Sequence, residues 1–177
     1  GVGRILGVDI DAASVERVQS RFGDRVALDV RQVAPGDQEI LEAEADVVSP
    51  CATGAVLDER TIPRIRAPIV CGAANNQLAD PSVHDRLLAE RGIVYLPDFL
   101  VNRMGIVNCA DEASGYVDDD PVFAAHLGDS WDQSIYRLTL DVLGQAARSG
   151  TPPGEVALRM AEERSFEEHP IWGIAGG

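Results

Sequence analysis

Between Ser49 and Gln77 the chain does the same thing twice. Asp46-Val47-Val48-Ser49 runs into Pro50-Cys51-Ala52-Thr53-Gly54, and Pro68-Ile69-Val70-Cys71 runs into Gly72-Ala73-Ala74-Asn75-Asn76-Gln77. A short β-branched run that ends in a small-residue turn reads as a buried strand, and two in succession read as neighbours in a parallel sheet. Ligands of such sheets sit beyond the carboxyl ends of the strands. Small residues there let a ligand approach the backbone closely, and Asn side chains offer donors and acceptors together. The two turns are therefore the expected ligand edge.

The surrounding pattern supports this. Arg4 to Ile10 reads as a strand with acidic residues at its carboxyl end. Asp11 and Ser14 are placed to cap a helix from Ala12 to Phe22, stopped by Gly23. Val26 to Val30 reads as a weak strand, and Gln38 to Ala43 as a short acidic helix. One or two helical turns are expected between Leu57 and Ile65. Asp80-Pro81 opens a helix running to about Arg91, with Pro in its first turn. Ile93 to Leu96 is the last strand. Strands alternating with helices at these spacings imply parallel βαβ units, an α/β fold. From Gly105 the pattern turns helical. Phe123, Leu127, Trp131, Ile135, Leu138, Val142 and Gly144 predict one long amphipathic helix over Pro121 to Ser149, with Phe123, Leu127 and Trp131 in the core. A last helix spans Glu155 to Glu167, and His169 to Gly177 reads as a tail. The expected division is residues 1–115 as a nucleotide-binding domain and 116–177 as helices packing on it.

A dinucleotide-binding fold begins with a strand, a Gly-rich turn and a helix, and the acidic residue for the ribose follows at the end of the second strand. Here the acidic strand end, Asp9, lies nine residues into the sequence. Gly1-Val2-Gly3 runs into a strand, not a helix, so the sheet is expected to be Rossmann-like without its first strand, Gly-rich loop and helix. Loss of that central strand would expose two edges.

Composition narrows the function. A net charge of −14 argues against nucleic acid and anionic membranes as partners. All basic residues are Arg; there is no Lys. Three cysteines without a CxxC pair imply reduced thiols and a cytoplasmic setting. No apolar run approaches the ~20 residues of a membrane span, and Asp9 and Asp11 interrupt the apolar start where a signal peptide would lie. His84 and His126 have no metal-ligand spacing around them, so no metal is expected. Cys51 has no His placed to activate it as a nucleophile.

The chain resembles the nucleotide-binding half of the Glu/Leu/Phe/Val dehydrogenases, most nearly the leucine, valine and phenylalanine branch. The resemblance is carried by Ala45 to Leu57, Thr61-Ile62-Pro63, Gly72 to Leu78, His84-Asp85, Arg91 to Asp98 and Asn108 to Glu112. It implies NAD-dependent oxidative deamination of an L-amino acid to its 2-oxo acid. It also implies residue roles: Asp9 holds the adenosine ribose; Cys51, Ala52 and Thr53 line the nucleotide groove; Asn75, flanked by Ala74, holds the nicotinamide carboxamide and ribose; and Asn102 stands at the cleft mouth. Asp9 with Asp11 would repel a 2′-phosphate, favouring NAD over NADP.

The family's catalytic Lys and Asp lie in a substrate domain absent from this sequence, so no catalytic residue is assigned here and the chain alone is expected to be inactive. The expectation is a C-terminal part of a homo-oligomeric dehydrogenase that meets its amino-acid and 2-oxo-acid substrates through a missing N-terminal domain. A non-catalytic nucleotide- or partner-binding module is the alternative. Arg103-Met104 replaces the small residues usual between Asn102 and Gly105, leaving open whether Arg103 enters the cleft or faces solvent.

Overall fold

The structure is a computed structural model and describes residues 2–115 and 118–165; the expected tail lies outside the described residues. The chain is α/β, with parallel sheets followed by helices. It divides into two compact units, residues 1–44 with 64–66, and residues 45–63 with 67–177.

In the first unit β1 (Arg4–Asp9) and β2 (Ala27–Gln32) pair in parallel, Arg4 opposite Ala27 and Asp9 opposite Gln32. The crossover between them is α1 (Ala12–Phe22), on the expected residues. Its cap is Asp11, whose carboxylate accepts from the Ala13 and Ser14 amides at 3.2 and 3.1 Å. The Ser14 hydroxyl donates to the same carboxylate and, ahead of the Ala13 amide, holds it below the usual carboxylate range. Val15, Val18 and Phe22 form one helical stripe. With Val8, Val26 and Leu28 they line an apolar crevice of about 430 Å³. No residue of α1 is buried. Among the described residues, β1 pairs on one edge only.

In the second unit β3 (Val47–Val48), β4 (Ile69–Val70) and β5 (Val94–Tyr95) form a parallel sheet in the order β3-β4-β5. The helical turn expected before β4 forms as a 3₁₀ turn, Ile62–Arg64, and the acidic segment Glu39–Glu42 of the first unit is likewise a 3₁₀ turn. The expected α2 forms over Pro81–Glu90, capped by Asp80, which accepts from Ser82 N–H at 3.0 Å. His84 is a packing residue: buried, it accepts the Asp80 amide on Nδ1 at 2.9 Å.

After β5 come α3 (Asp98–Val101), α4 (Met104–Ser114), α5 (Pro121–Leu127), α6 (Ile135–Ser149) and α7 (Pro153–Ser165). The single long helix expected from Pro121 to Ser149 is therefore two. Gly128 ends α5 in an extended conformation, and Ser134 starts α6, its hydroxyl accepting from Arg137 N–H at 3.2 Å. The break also corrects the expected core. Leu127 is 63% exposed and Trp131 37%; Trp131 packs edge-on against His126 at 4.8 Å. The helical core instead joins Leu138, Val142 and Ala146 of α6 to Leu100 of α3 and Val156, Ala157 and Met160 of α7.

Asp85 fastens α7 to α2. Its buried carboxylate accepts from Glu155 N–H at 3.2 Å, at the start of α7. A Cβ at Gly154 would lie 2.5 Å from Asp85 Oδ2, so a larger residue there would displace the carboxylate from this contact.

Leu138→Ala removes a buried leucine and should cost ~2–5 kcal/mol, whereas Trp131→Ala loses mainly a ring contact and should cost less than about 1.5 kcal/mol. Urea midpoints check both, and the reverse order would restore the single-helix packing.

Candidate functional site

The two small-residue turns lie side by side at the carboxyl ends of β3 and β4, joined by their own backbones. Cys71 N–H donates to Val48 O at 2.9 Å, Ala74 N–H to Pro50 O at 3.0 Å and Ala55 N–H to Asn76 O at 2.7 Å. Beyond the turns the segments continue together, with Leu57 N–H on Gln77 O at 3.0 Å and Ala79 N–H on Leu57 O at 3.0 Å. Two glycines make this approach possible. A Cβ at Gly72 would lie 2.1 Å from Pro50 O, and one at Gly54 2.8 Å from Asn75 O.

The second turn is also laced from inside. Gln77 is fully buried, and its Nε2 donates to Gly72 O at 2.7 Å and Ala74 O at 3.0 Å. Asn76 takes a left-handed φ of 52°, which Asn tolerates better than most residues. Its N–H donates to Asp98 Oδ2 at 2.7 Å, while Tyr95 O–H donates to Asp98 Oδ1 at 3.0 Å. Below the first turn, Asp58 Oδ1 accepts the Arg60 and Thr61 amides, each at 2.8 Å, and the Thr61 hydroxyl donates to Val56 O at 2.7 Å. The Arg60 guanidinium, ahead of these amides, holds the Asp58 carboxyl far below the usual carboxylate range.

Six of the seven candidate residues stand on or beside this double turn. Cys51, Ala52 and Thr53 are exposed on the first turn. Ala74 is buried, while Asn75 is exposed. Asn102, at the end of α3, reaches back to donate from Nδ2 to Asn75 Oδ1 at 2.6 Å and to Ala73 O at 3.3 Å. The contact spans 27 residues of chain. Burial first, then the neighbouring Cys51, push the Cys71 thiol above its usual range, which keeps it protonated.

The seventh candidate, Asp9, belongs to the first unit. It ends β1, is exposed, and accepts Asp11 N–H on Oδ1 at 2.9 Å. Its other oxygen has no partner among the described residues. Arg103 is half-buried and donates to the Gln133 carbonyl just ahead of α6, so its guanidinium is engaged with the helical segment.

Sequence reasoning missed Asp98, Tyr95 and Gln77 as supports of the turn. The one available signal was their position within the motif-bearing stretches. Among the described residues, no group of three or more His, Cys, Asp or Glu side chains is arranged to hold a metal ion, and no helix is long and apolar enough to cross a membrane.

Residues 6–146 match the model of the Glutamate/Leucine/Phenylalanine/Valine dehydrogenase family. A valine dehydrogenase of Streptomyces coelicolor is 41% identical over 78% of this chain and 36% of its own length. An L-tryptophan dehydrogenase of Nostoc punctiforme is 35% identical over 88% of this chain and 40% of its own length. The crystal structure of L-tryptophan dehydrogenase from Nostoc punctiforme superposes with a TM-score of 0.76 at 32% identity, covering 91% of this chain and 44% of that one. The chain thus spans about two fifths of the length of the curated relatives it matches.

Gly72→Ala forces a Cβ against a backbone oxygen and should cost at least ~1–3 kcal/mol; an unchanged urea midpoint would contradict the close packing of the turns. The depressed Asp58 adds stability that is fully present above the ordinary carboxylate pKa of about 3.9 and lost as pH falls through its lowered folded value. Asp58→Asn should therefore flatten the acid limb of stability against pH, and an unaltered limb would remove Asp58 from that role.

Proposed function

Because the chain belongs to the Glutamate/Leucine/Phenylalanine/Valine dehydrogenase family, we propose that it is the nucleotide-binding portion of an NAD-dependent L-amino-acid dehydrogenase. The observation that carries this reading is the Asn75–Asn102 pair on a turn laced to its neighbour at the carboxyl ends of parallel strands.

The residues suit a nicotinamide coenzyme. Exposed Ala52 and Thr53 leave the backbone of the first turn open to close approach. Asn75 offers an amide to the carboxamide and ribose. The free oxygen of Asp9 can accept from ribose hydroxyls, and Asp9 with Asp11 disfavours a 2′-phosphate. When bound, NAD supplies the hydride acceptor for oxidation of an amino acid to its 2-oxo acid. This chain's residues bind and orient it, while proton transfer falls to groups outside the chain, since there is no Lys here. The whole enzyme is read as a cytoplasmic homo-oligomer acting on a branched-chain or aromatic amino acid.

The absence of Lys also favours a second reading, a non-catalytic module of the same ancestry that binds nucleotide or a partner subunit.

Isothermal titration of the chain with NAD⁺ and NADP⁺ tests the first reading. NAD⁺ should bind at least about tenfold more tightly, and Asp9→Ala should weaken it about tenfold, a loss on the scale of one hydrogen bond to a charged group. Preference for NADP⁺, or no binding of either, would refute it.

A further inference from the structure

We propose that Arg103, Arg164 and His126 form an anion-binding site in the helical segment, and that its ligand is a phosphate group, free or carried on an organic molecule. The site is separate from the double turn, and the inference does not depend on the coenzyme reading.

The three side chains come from three helix ends. Arg103 directly precedes α4, His126 lies in the last turn of α5 and Arg164 in the last turn of α7. They meet around the link between α5 and α6. Arg103 donates to the backbone carbonyl of Gln133, and Arg164 donates to Oε1 of the same residue. Two residues earlier, Trp131 meets the His126 ring edge-on at 4.8 Å. One glutamine thus draws two guanidiniums together while offering them only neutral oxygens.

Like charges gathered in this way call for a counter-charge, because partial burial strips water from them. Carboxylates are plentiful in the chain, 29 Asp and Glu against 15 Arg. Arg4, Arg60, Arg64, Arg66, Arg86 and Arg159 each pair with one. Arg103 and Arg164, both half-buried, pair with none among the described residues. Burial, then Arg164, hold the Arg103 guanidinium below its usual range. Burial, then Arg103, also lower the His126 imidazole, against the opposing pull of Asp120. Arg103 Nε and His126 Nδ1 are buried with no hydrogen-bond partner among the described residues. α4 adds to the imbalance. No side chain caps its N-terminus, where Arg103 puts a cation against the helix dipole.

The donors select the ligand. A guanidinium presents paired N–H groups in a fixed fork that matches the oxygens of a phosphate. Two forks from different helices suit a group with two charges and at least three oxygens. A carboxylate, with one charge and two oxygens, satisfies one fork and leaves the other. The imidazole beside them can donate one bond more. Because both arginine side chains are only half-buried, the ion can enter from solvent.

Calorimetric titration of the chain with inorganic phosphate at pH 7, without coenzyme, tests the site. Saturable binding in the millimolar range is expected. Arg103→Gln and Arg164→Gln should each weaken it at least about tenfold, the scale of one charge-assisted hydrogen bond. Arg31→Gln, on exposed β2, should leave it unchanged. Acetate should bind at least about tenfold less tightly than phosphate. Methyl phosphate distinguishes the sources: tighter binding than inorganic phosphate points to an organic ligand, and weaker binding to the free ion, and either supports the site. NMR of the ¹⁵N-labelled chain needs no variant. Phosphate should shift the Arg103 and Arg164 Nε–H resonances with the same saturation curve and leave that of Arg31 in place. No saturable binding, equal binding by Arg103→Gln with unchanged far-UV circular dichroism, acetate binding as tightly as phosphate, or shifts confined to other arginines would each overturn the proposal.

Discussion

Ala74 N–H reaches Pro50 O at 3.0 Å only because nothing projects from Gly72 into the space between. That contact joins the ends of two strands that are themselves two residues long. Ladders this short contribute few hydrogen bonds of their own. The cross-links between the turns, and between Leu57 and the segment after Gln77, continue the pairing beyond the strand ends. The double turn is thus an extension of the sheet made of turn backbone. An exposed turn of small residues would otherwise be free to move, because it has few side chains to pack.

The rest of the second unit fixes the outer side of that edge. Asp98 begins α3 and Asn102 ends it, and the two reach the same turn, at Asn76 and Asn75. Leu100, between them, is buried against α6 and α7. A short helix that would be marginal alone is therefore anchored by packing, and its two ends become fixed points for the turn. Asp85, holding the start of α7 from α2, links the same helical core back to the sheet connection. In this way α6 and α7, which carry none of the candidate residues, anchor the short helix that holds the turn at Asn75.

Much of this was written locally. The crossover helix α1 follows from Asp11 and Gly23, and α2 from Asp80-Pro81, because caps act within a turn of the residues that bear them. The paired strands and their turns were legible for the same reason: β-branched runs ending in Gly, Ala and Asn mark a strand and its turn locally. The break between α5 and α6 was not legible from apolar spacing. Leu127, Trp131 and Ile135 keep a four-residue interval straight across it, while Gly128 and Ser134 supply a stop and a start that the periodicity overrode. The 3₁₀ turns at Glu39–Glu42 and Ile62–Arg64 differ from α-helix by a hydrogen-bond register that composition does not encode. The links from Asp98 to Asn76 and from Asn102 to Asn75 span 22 and 27 residues. Long-range hydrogen bonds of this kind leave no pattern in one sequence, so the residues that form the double turn were legible and those that hold it from outside were not.

Native-state amide hydrogen exchange tests the shared-backbone edge most directly. The Ala55, Ala74 and Asn76 amides lie on turns whose side chains are largely exposed, and their hydrogens are committed to Asn76 O, Pro50 O and Asp98. The expected result is protection of all three comparable to that of Cys71, whose N–H pairs with Val48 O. Exchange of these three at the rate of an unprotected loop, with Cys71 still protected, would contradict a double turn built as an extension of the sheet.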